Sequence, residues 1–343
     1  MKKAIIIISV ILIIAGLLIA FIALLANGFS FGKMTNRHNV TKNYTVSEEY
    51  QSIKLDDESG FIDVTIEKST SENTEITYFG MEEIDIRYTV NDGKLFIECD
   101  DSRAFFKKMF SFGTETSIKI SVPEKEYGFI SIETSSGDVK ISKVNMRSLE
   151  VDSSSGDVIL NSVTVTEKFE TELSSGDVKI SDSKVGEIYH DSSSGSLEIY
   201  RTEVLGKIET ELSSGELEID GSTVGVLLHE SSSGDAEIKN CAINSLNIKT
   251  TSGEVLFEGV IVSQTLTVKT NSGEVELYET DAQKISVDTT SGEVEGRLLS
   301  PKMFDVRTTS GEVRIPASES GSGECIIRTT SGDVEIKINP IER

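Results

Sequence analysis

One short phrase, a Ser-Gly pair followed by an acid and then an aliphatic residue, recurs along most of the chain. It reads VDSSSGDVIL at 151–160, then ETELSSGDVKI, and later KTTSGEVLF, DTTSGEVEG and RTTSGDVEI. Its glycines are Gly137, Gly156, Gly176, Gly195, Gly215, Gly234, Gly253, Gly273, Gly292, Gly311 and Gly332, spaced by 19, 20, 19, 20, 19, 19, 20, 19, 19 and 21 residues. A fixed period near 20 marks a solenoid or array, in which each repeat hides its apolar face only against its neighbours.

Aligning the repeats on the glycine exposes inward columns. Two residues after it stand aliphatic side chains such as Val139, Leu217 and Val334. Four after it the column runs through Ile141, Ile180 and Ile336, with Gly296 as an exception, and seven before it through Leu149, Phe169 and Ile285. The alternation has the two-residue period of strands. Its phase slips by one at Ser-Gly, which requires a corner or bulge. Glycine suits a corner because it adopts backbone conformations closed to other residues. The serine before it is expected on the inner side, its hydroxyl bonding a backbone group. A shorter inward segment recurs at Val165, Val185, Val204, Val224, Ile243 and Val262, which suggests a weaker third strand per coil.

The predicted fold is therefore all-β: a parallel β-helix of about 19–20 residues per coil, right-handed by the crossover rule. A coil burying four or five apolar side chains gains roughly 8–12 kcal/mol gross at about 1.5–3 each. Ordering costs of similar size oppose that gain, so one coil is unstable alone and the stack needs caps. The regular coils span 122–338, and residues 46–121 read as an irregular N-terminal cap. That cap holds ESGFIDVTIEK, a weak copy of the phrase, and two alternating runs around the turn Asn91-Asp92-Gly93. It also holds RAFFKKMFSFG, where Phe105, Phe106, Phe110 and Phe112 flank Lys107 and Lys108. This segment reads as a plug for the first coil or as a cationic aromatic contact with a membrane. The tail 339–343 offers no visible cap, so something else is expected to cover that end.

Residues 1–3, Met-Lys-Lys, precede an uncharged apolar run from Ala4 to Ala26. At about 1.5 Å per residue the run spans a hydrocarbon core of about 30 Å. A cleaved signal peptide has a shorter apolar region and a small-x-small site, whereas here Leu24 holds the −3 position before a cut after Ala26. The expectation is an uncleaved single-pass anchor with Lys2 and Lys3 cytoplasmic, a linker at 27–45 and everything beyond it extracytoplasmic. The formal charge of −24 argues against a nucleic-acid partner. Cys99, Cys241 and Cys325 lack metal or disulfide spacing and read as buried, unpaired residues.

Two columns carry charge. Directly after the glycine stand Asp138, Asp157, Asp177, Ser196, Glu216, Asp235, Glu254, Glu274, Glu293, Glu312 and Asp333. Neighbouring carboxylates about 5 Å apart repel by about 0.8 kcal/mol in water, so a counterweight is expected. It could be turn amides donating to the carboxylates, or Ca²⁺ held by Asp191, Glu198, Glu216, Glu218, Asp235 and Glu237, since calcium prefers oxygen ligands. No cofactor is otherwise implied. Four before the glycine, Glu133, Asp152, Glu172, Asp191, Glu211 and Glu230 give way to Lys249, Lys269, Asp288, Arg307 and Arg328. His190 and His229 fall in an inward column, two coils apart, too far to share a metal. They are expected to hydrogen-bond in the core beside Ser192 and Ser231. Pectate-lyase-like β-helices cut polysaccharides with clustered acids and a basic residue beneath long loops. Here the turns are short and no matching cleft is visible, so catalysis is not expected, with a polysaccharide-cleaving enzyme as the alternative.

The run of [ST][ST]SG[DE]V coils behind one N-terminal apolar segment resembles a bacterial β-strand-repeat family of "putative adhesins" that includes LiaG-like proteins of cell-envelope stress operons. The resemblance covers roughly residues 45–338. It implies a β-helical ectodomain, a surface or envelope role and an envelope protein or glycan as partner, and it brings no catalytic residues. The expected function is non-catalytic: a display or binding rod anchored at the membrane. A purely structural scaffold with a cation-binding acidic ladder is the other alternative.

Overall fold

A computed structural model describes residues 39–101, 115–319 and 323–339. The chain divides into two units, Met1–Val40 and Thr41–Arg343, and the account below concerns the second. The apolar run Ala4–Ala26 and the aromatics Phe105, Phe106, Phe110 and Phe112 lie outside the described residues. Among the described residues no helix is long and apolar enough to cross a membrane.

The second unit is all-β and built from parallel coils, as the period predicts. Each regular coil has two strands. A long one precedes the glycine, as in Asn145–Ser155 and Thr164–Ser175, and a four-residue one follows it, as in Val158–Asn161 and Val178–Ser181. Long strands pair in parallel only with long ones and short with short, giving two facing sheets. Val158 pairs with Val178 and Leu160 with Ile180, so each aliphatic column stacks on itself across coils. Val139, Phe169, Leu217 and Ile285 are fully buried.

The third segment expected from Val165, Val185 and Val204 is the first part of the long strand, set off from the rest by a bulge. The alternation of 19 and 20 residues is resolved there. Between Val165 and Lys168 two residues occupy the bulge, and in the next coil Gly186 alone does so. The extra residue is thus taken up outside the core, and every inward column keeps its register. The short strand ends in a left-handed turn six residues after the corner glycine, at Lys143 (φ 57), Ser162 (55), Asp182 (51), Arg201 (47) and Asn240 (51).

The corner glycines serve close stacking more than an unusual conformation. Only Gly176, Gly253 and Gly311 of that column have positive φ. A Cβ on Gly215 would instead stand 2.0 Å from the carbonyl oxygen of Gly195, and one on Gly234 1.9 Å from that of Gly215. Backbone packs against backbone down the whole edge, and no side chain fits between. The serine before the glycine does not point inward as expected: Ser155 and Ser194 are exposed. Ser136, Ser155 and Ser175 do donate to carbonyls of the neighbouring coil, at 2.7, 3.5 and 3.4 Å. The inward hydroxyls stand three before the glycine, at Ser153, Ser192, Thr270 and Thr289.

Coils do not stack in chain order at either end. The strand Ser52–Asp57 pairs with Lys94–Asp101 on one side and Glu126–Thr134 on the other, and Asp63–Lys68 likewise lies between Ser117–Val122 and Val139–Ser142. The second coil of the chain therefore sits outside the first. At the C-terminal end Glu324–Thr329 inserts between Val275–Thr289 and Met303–Arg307, and Val334–Ile338 between Val294–Leu298 and Val313–Arg314. The Gly332 coil thus lies inside the Gly311 coil, and the glycine stack runs Gly292, Gly332, Gly311. Lys302, buried at the start of the displaced coil, is held by Asp281 at 2.5 Å and Ser300 at 2.7 Å.

The two ends are finished differently. At the N-terminal end Thr74–Met81 runs antiparallel to Ser117–Val122, and Ile84–Asn91 antiparallel to Lys94–Asp101. Ile76, Tyr78, Met81 and Ile84 are fully buried there, and the Tyr78 hydroxyl donates to Met81 O at 2.9 Å. At the other end Met303–Arg307 and Val313–Arg314 each have a strand partner on one side only among the described residues. Met303, Val313 and Ile315 are 49%, 41% and 37% exposed, and Phe304 and Val306 half-buried.

Candidate functional site: an acidic edge along the coils

The acid column after the glycine has a local counterweight in its aspartates. The amide of Asp157 donates to Asp138 Oδ1 at 3.2 Å, that of Asp177 to Asp157 Oδ1 at 3.0 Å, and that of Ser196 to Asp177 Oδ1 at 2.9 Å. Asp63 receives the Asp138 amide at 3.0 Å, Asp235 that of Glu254 at 2.8 Å, and Asp333 that of Glu312 at 2.8 Å. Each aspartate thus fastens its coil to the next through a charge-assisted bond that satisfies a corner amide. Ser196 Oγ does the same for the Glu216 amide at 3.3 Å. No such bond reaches a glutamate of the column among the described residues. Asp and Glu, interchangeable in the repeat phrase, play different parts.

The second acid column, four before the glycine, is longer than the eleven phrases suggest. Strand registers place Glu98 beside Asp56, Asp56 beside Glu133, and then Asp152, Glu172, Asp191, Glu211 and Glu230 in succession. Lys249 follows and pairs with Glu230 at 2.5 Å. A shallow groove of about 500 Å³ runs along it, lined by Glu133, Asp152, Glu172 and Asp191 with intervening Ser and Thr. Burial, and then Glu150, Glu133 and Glu170, push the Asp152 carboxyl above the usual range. Burial and Glu133 do the same to Asp56. Lys54 relieves part of the crowding through Glu133 at 2.6 Å.

Of the six acids singled out in the sequence, Glu216, Glu218, Asp235 and Glu237 share one hollow with Glu254. Asp191 lies across the corner, in the other column. Glu198 is engaged by Lys179 at 2.6 Å and by the Tyr200 hydroxyl at 3.1 Å, and Glu218 accepts from that same hydroxyl at 2.6 Å. Lys239 pairs with Glu237. Another convergence lies in the coils that follow directly, where oxygens of Glu274, Glu293 and Glu295 fall within 4.8 Å of one another. Burial and the neighbours Glu276 and Glu293 hold the Glu274 carboxyl above its usual range. Hard dications suit such an oxygen set. The sequence hides this trio among many equivalent acids.

The histidines are buried and hydrogen-bonded in the core, as expected, and their partners are threonines. His190 Nδ1 bonds Thr171 Oγ1 at 2.6 Å and His229 Nδ1 bonds Thr210 Oγ1 at 2.5 Å, each in the preceding coil. The strand register sets Thr171 beside His190 and Thr210 beside His229, whereas Ser192 and Ser231 lie two residues along the same strand. Burial pushes both imidazoles down to about 4. Cys99, Cys241 and Cys325 are buried and unpaired, as the sequence predicts, and burial pushes the Cys241 thiol up to about 11.

A family model described as Toastrack DUF4097 matches residues 50–225 and 201–343. No curated relative matches the chain in sequence. Among solved structures, it is similar to a "putative adhesin" from Parabacteroides distasonis, at 16% identity over 86% of this chain and 98% of that one, with a TM-score of 0.39. A "putative lipid binding protein" from the same organism is 14% identical over 89% and 98%, with a TM-score of 0.38. A "putative adhesin" from Parabacteroides merdae is 15% identical over 88% and 98%, with a TM-score of 0.31.

Proposed function

The chain belongs to the Toastrack DUF4097 family, and from that premise we propose that it is a non-catalytic binding rod, anchored by Ala4–Ala26 and displayed outside the membrane at the cell envelope. The supporting observation is the acidic edge. Eight consecutive acids, Glu98 to Glu230, present charge at each coil of the long-strand sheet. The aspartate bonds at the adjacent corner hold the spacing fixed. A rigid row of like charges recognises an extended partner carrying repeated cationic groups, on an envelope protein or an amine-bearing glycan.

Two experiments test this. Protease added to intact cells removes a C-terminal tag if the coils are outside, and full protection of the tag would sink the placement. Binding of the full-length chain to amine-bearing and neutral glycan polymers tests the edge. The combined variant Asp152→Asn, Glu172→Gln and Asp191→Asn should weaken cationic-polymer binding about tenfold or more, as should raising the salt. Equal binding by the variant would remove the edge as the recognition surface.

A further inference from the structure

We propose that the C-terminal end, uncovered among the described residues, is a self-association surface, and that a second copy of this chain is its occupant, joined about a two-fold axis through Val306. Phe304, Val306, Val313 and, just beyond its strand, Ile315 leave the core's cross-section open there, and the strands Met303–Arg307 and Val313–Arg314 pair on one side only among the described residues. In parallel pairing, alternate residues turn their N–H and C=O to the same neighbour. The Met303 amide donates inward to Gly323 O at 2.8 Å. The backbone N–H and C=O groups of 303, 305 and 307 therefore point to the inserted coil, while those of 304 and 306 point away from it. Ser318 Oγ already takes the Phe304 amide at 3.0 Å. Val306 is the outward-facing residue at the middle of the remaining edge.

The side chains of this strand choose the register. An antiparallel pair centred on Val306 sets Val306 against the partner's Val306. It also sets Asp305 against the partner's Arg307, and Arg307 against the partner's Asp305. The alternative centre, Asp305, would oppose two like carboxylates. The strand Met303–Arg307 is thus self-complementary in charge as well as in its apolar inner face. Elsewhere the acid columns would repel a second copy. In the outermost coil Asp305 and Glu312 are matched by Arg307 and Arg314, with Arg328 adding a further bond to Asp305. Because the N-terminal end is sealed by antiparallel strands, the association closes at two copies and makes no filament.

The test is sedimentation equilibrium of the full-length chain in detergent micelles matched in density to the solvent. The unmodified chain should be dimeric at about 100 µM and dissociate on dilution. D305R and R307D should each weaken the dimer at least tenfold, since each opposes like charges at two places. Mixed in equal amounts, the two variants should recover a dimer with one copy of each, because the mixture restores both opposite-charge pairs. That recovery separates a designed contact from misfolding and from association through the N-terminal segment. A monomeric unmodified chain, dimers indifferent to both reversals, or a mixture that stays monomeric would each overturn the proposal.

Discussion

The two ends of the coil stack solve the same problem in opposite ways. Both exchange the order of their last two coils. At the N-terminal end the exchanged coil is then sealed by two antiparallel strands, with Tyr78 and Met81 fully buried beneath. At the C-terminal end the displaced coil is the last layer among the described residues, and Met303, Val313 and Ile315 are exposed. Coil exchange buries the chain end but does not close the core. Closing it takes strands that break the parallel pattern.

Acid should give the largest effect and should change where unfolding begins. Burial holds His190 and His229 neutral, with values near 4 against about 6.5 unfolded, over the opposing pull of Asp177 on the first and Glu230 on the second. A lowered histidine value means the unfolded chain binds more protons between those limits, so stability is full above pH about 6.5 and falls as pH drops towards 4. The shift is about 3 kcal/mol per imidazole and roughly twice that for the pair. Hydrogen exchange at neutral pH, at concentrations low enough to keep the chain monomeric, should show fraying from the Met303–Arg307 strand. Near pH 4 the strands around His190 and His229 should open first. Unchanged exchange in those strands at pH 4 would refute this reading.

Next in size, Tyr78→Ala at the sealed end should cost about 3–5 kcal/mol, while Phe304→Ala at the open end should cost the monomer under about 1 kcal/mol. Urea midpoints measure both, and equal losses would erase the contrast between the ends. Gly215→Ala should destabilise the middle coils by about 1–3 kcal/mol or more, because its Cβ would meet Gly195 O at 2.0 Å. The smallest expected effect separates the two acids of the phrase. Asp157→Glu loses the bond from the Asp177 amide and should cost about 1–2 kcal/mol, whereas Glu254→Asp should cost nothing or gain slightly. Equal responses would mean that the aspartate bonds do not hold the coils together.

Much of the fold was legible because stacking writes the same constraint into every repeat. The columns through Val139, Phe169 and Ile285 are buried where the alternation put them. The position of the left-handed turn was half legible: Gly221, Asn240 and Gly259 advertise it, while Lys143, Arg201 and Glu279 conceal it. Coil order at the ends was not legible, for a physical reason. The Gly311 and Gly332 coils present the same columns, so either one can lie against the Gly292 coil. Only the 21-residue spacing and the run Ala317–Gly323 hint at a crossover. The candidate site was legible as two columns of acids, but their different work was not. Whether a carboxylate reaches the next coil's amide depends on one methylene, which a pattern of acids does not register.

The exchanged order at the C-terminal end also has a mechanical consequence. Tension on the tail does not peel the outermost winding, because the strand leading to the tail, Val334–Ile338, belongs to the inner coil: it pairs along its length with Val294–Leu298, and Val334 and Glu335 pair with Val313 and Arg314 as well. After Ile338, Lys337 and Ile336 leave their single seam, Val334 and Glu335 must shear both seams together before a coil unravels. A tether attached there would hold against loads that a simple spiral, finished in sequence order, would yield to one turn at a time.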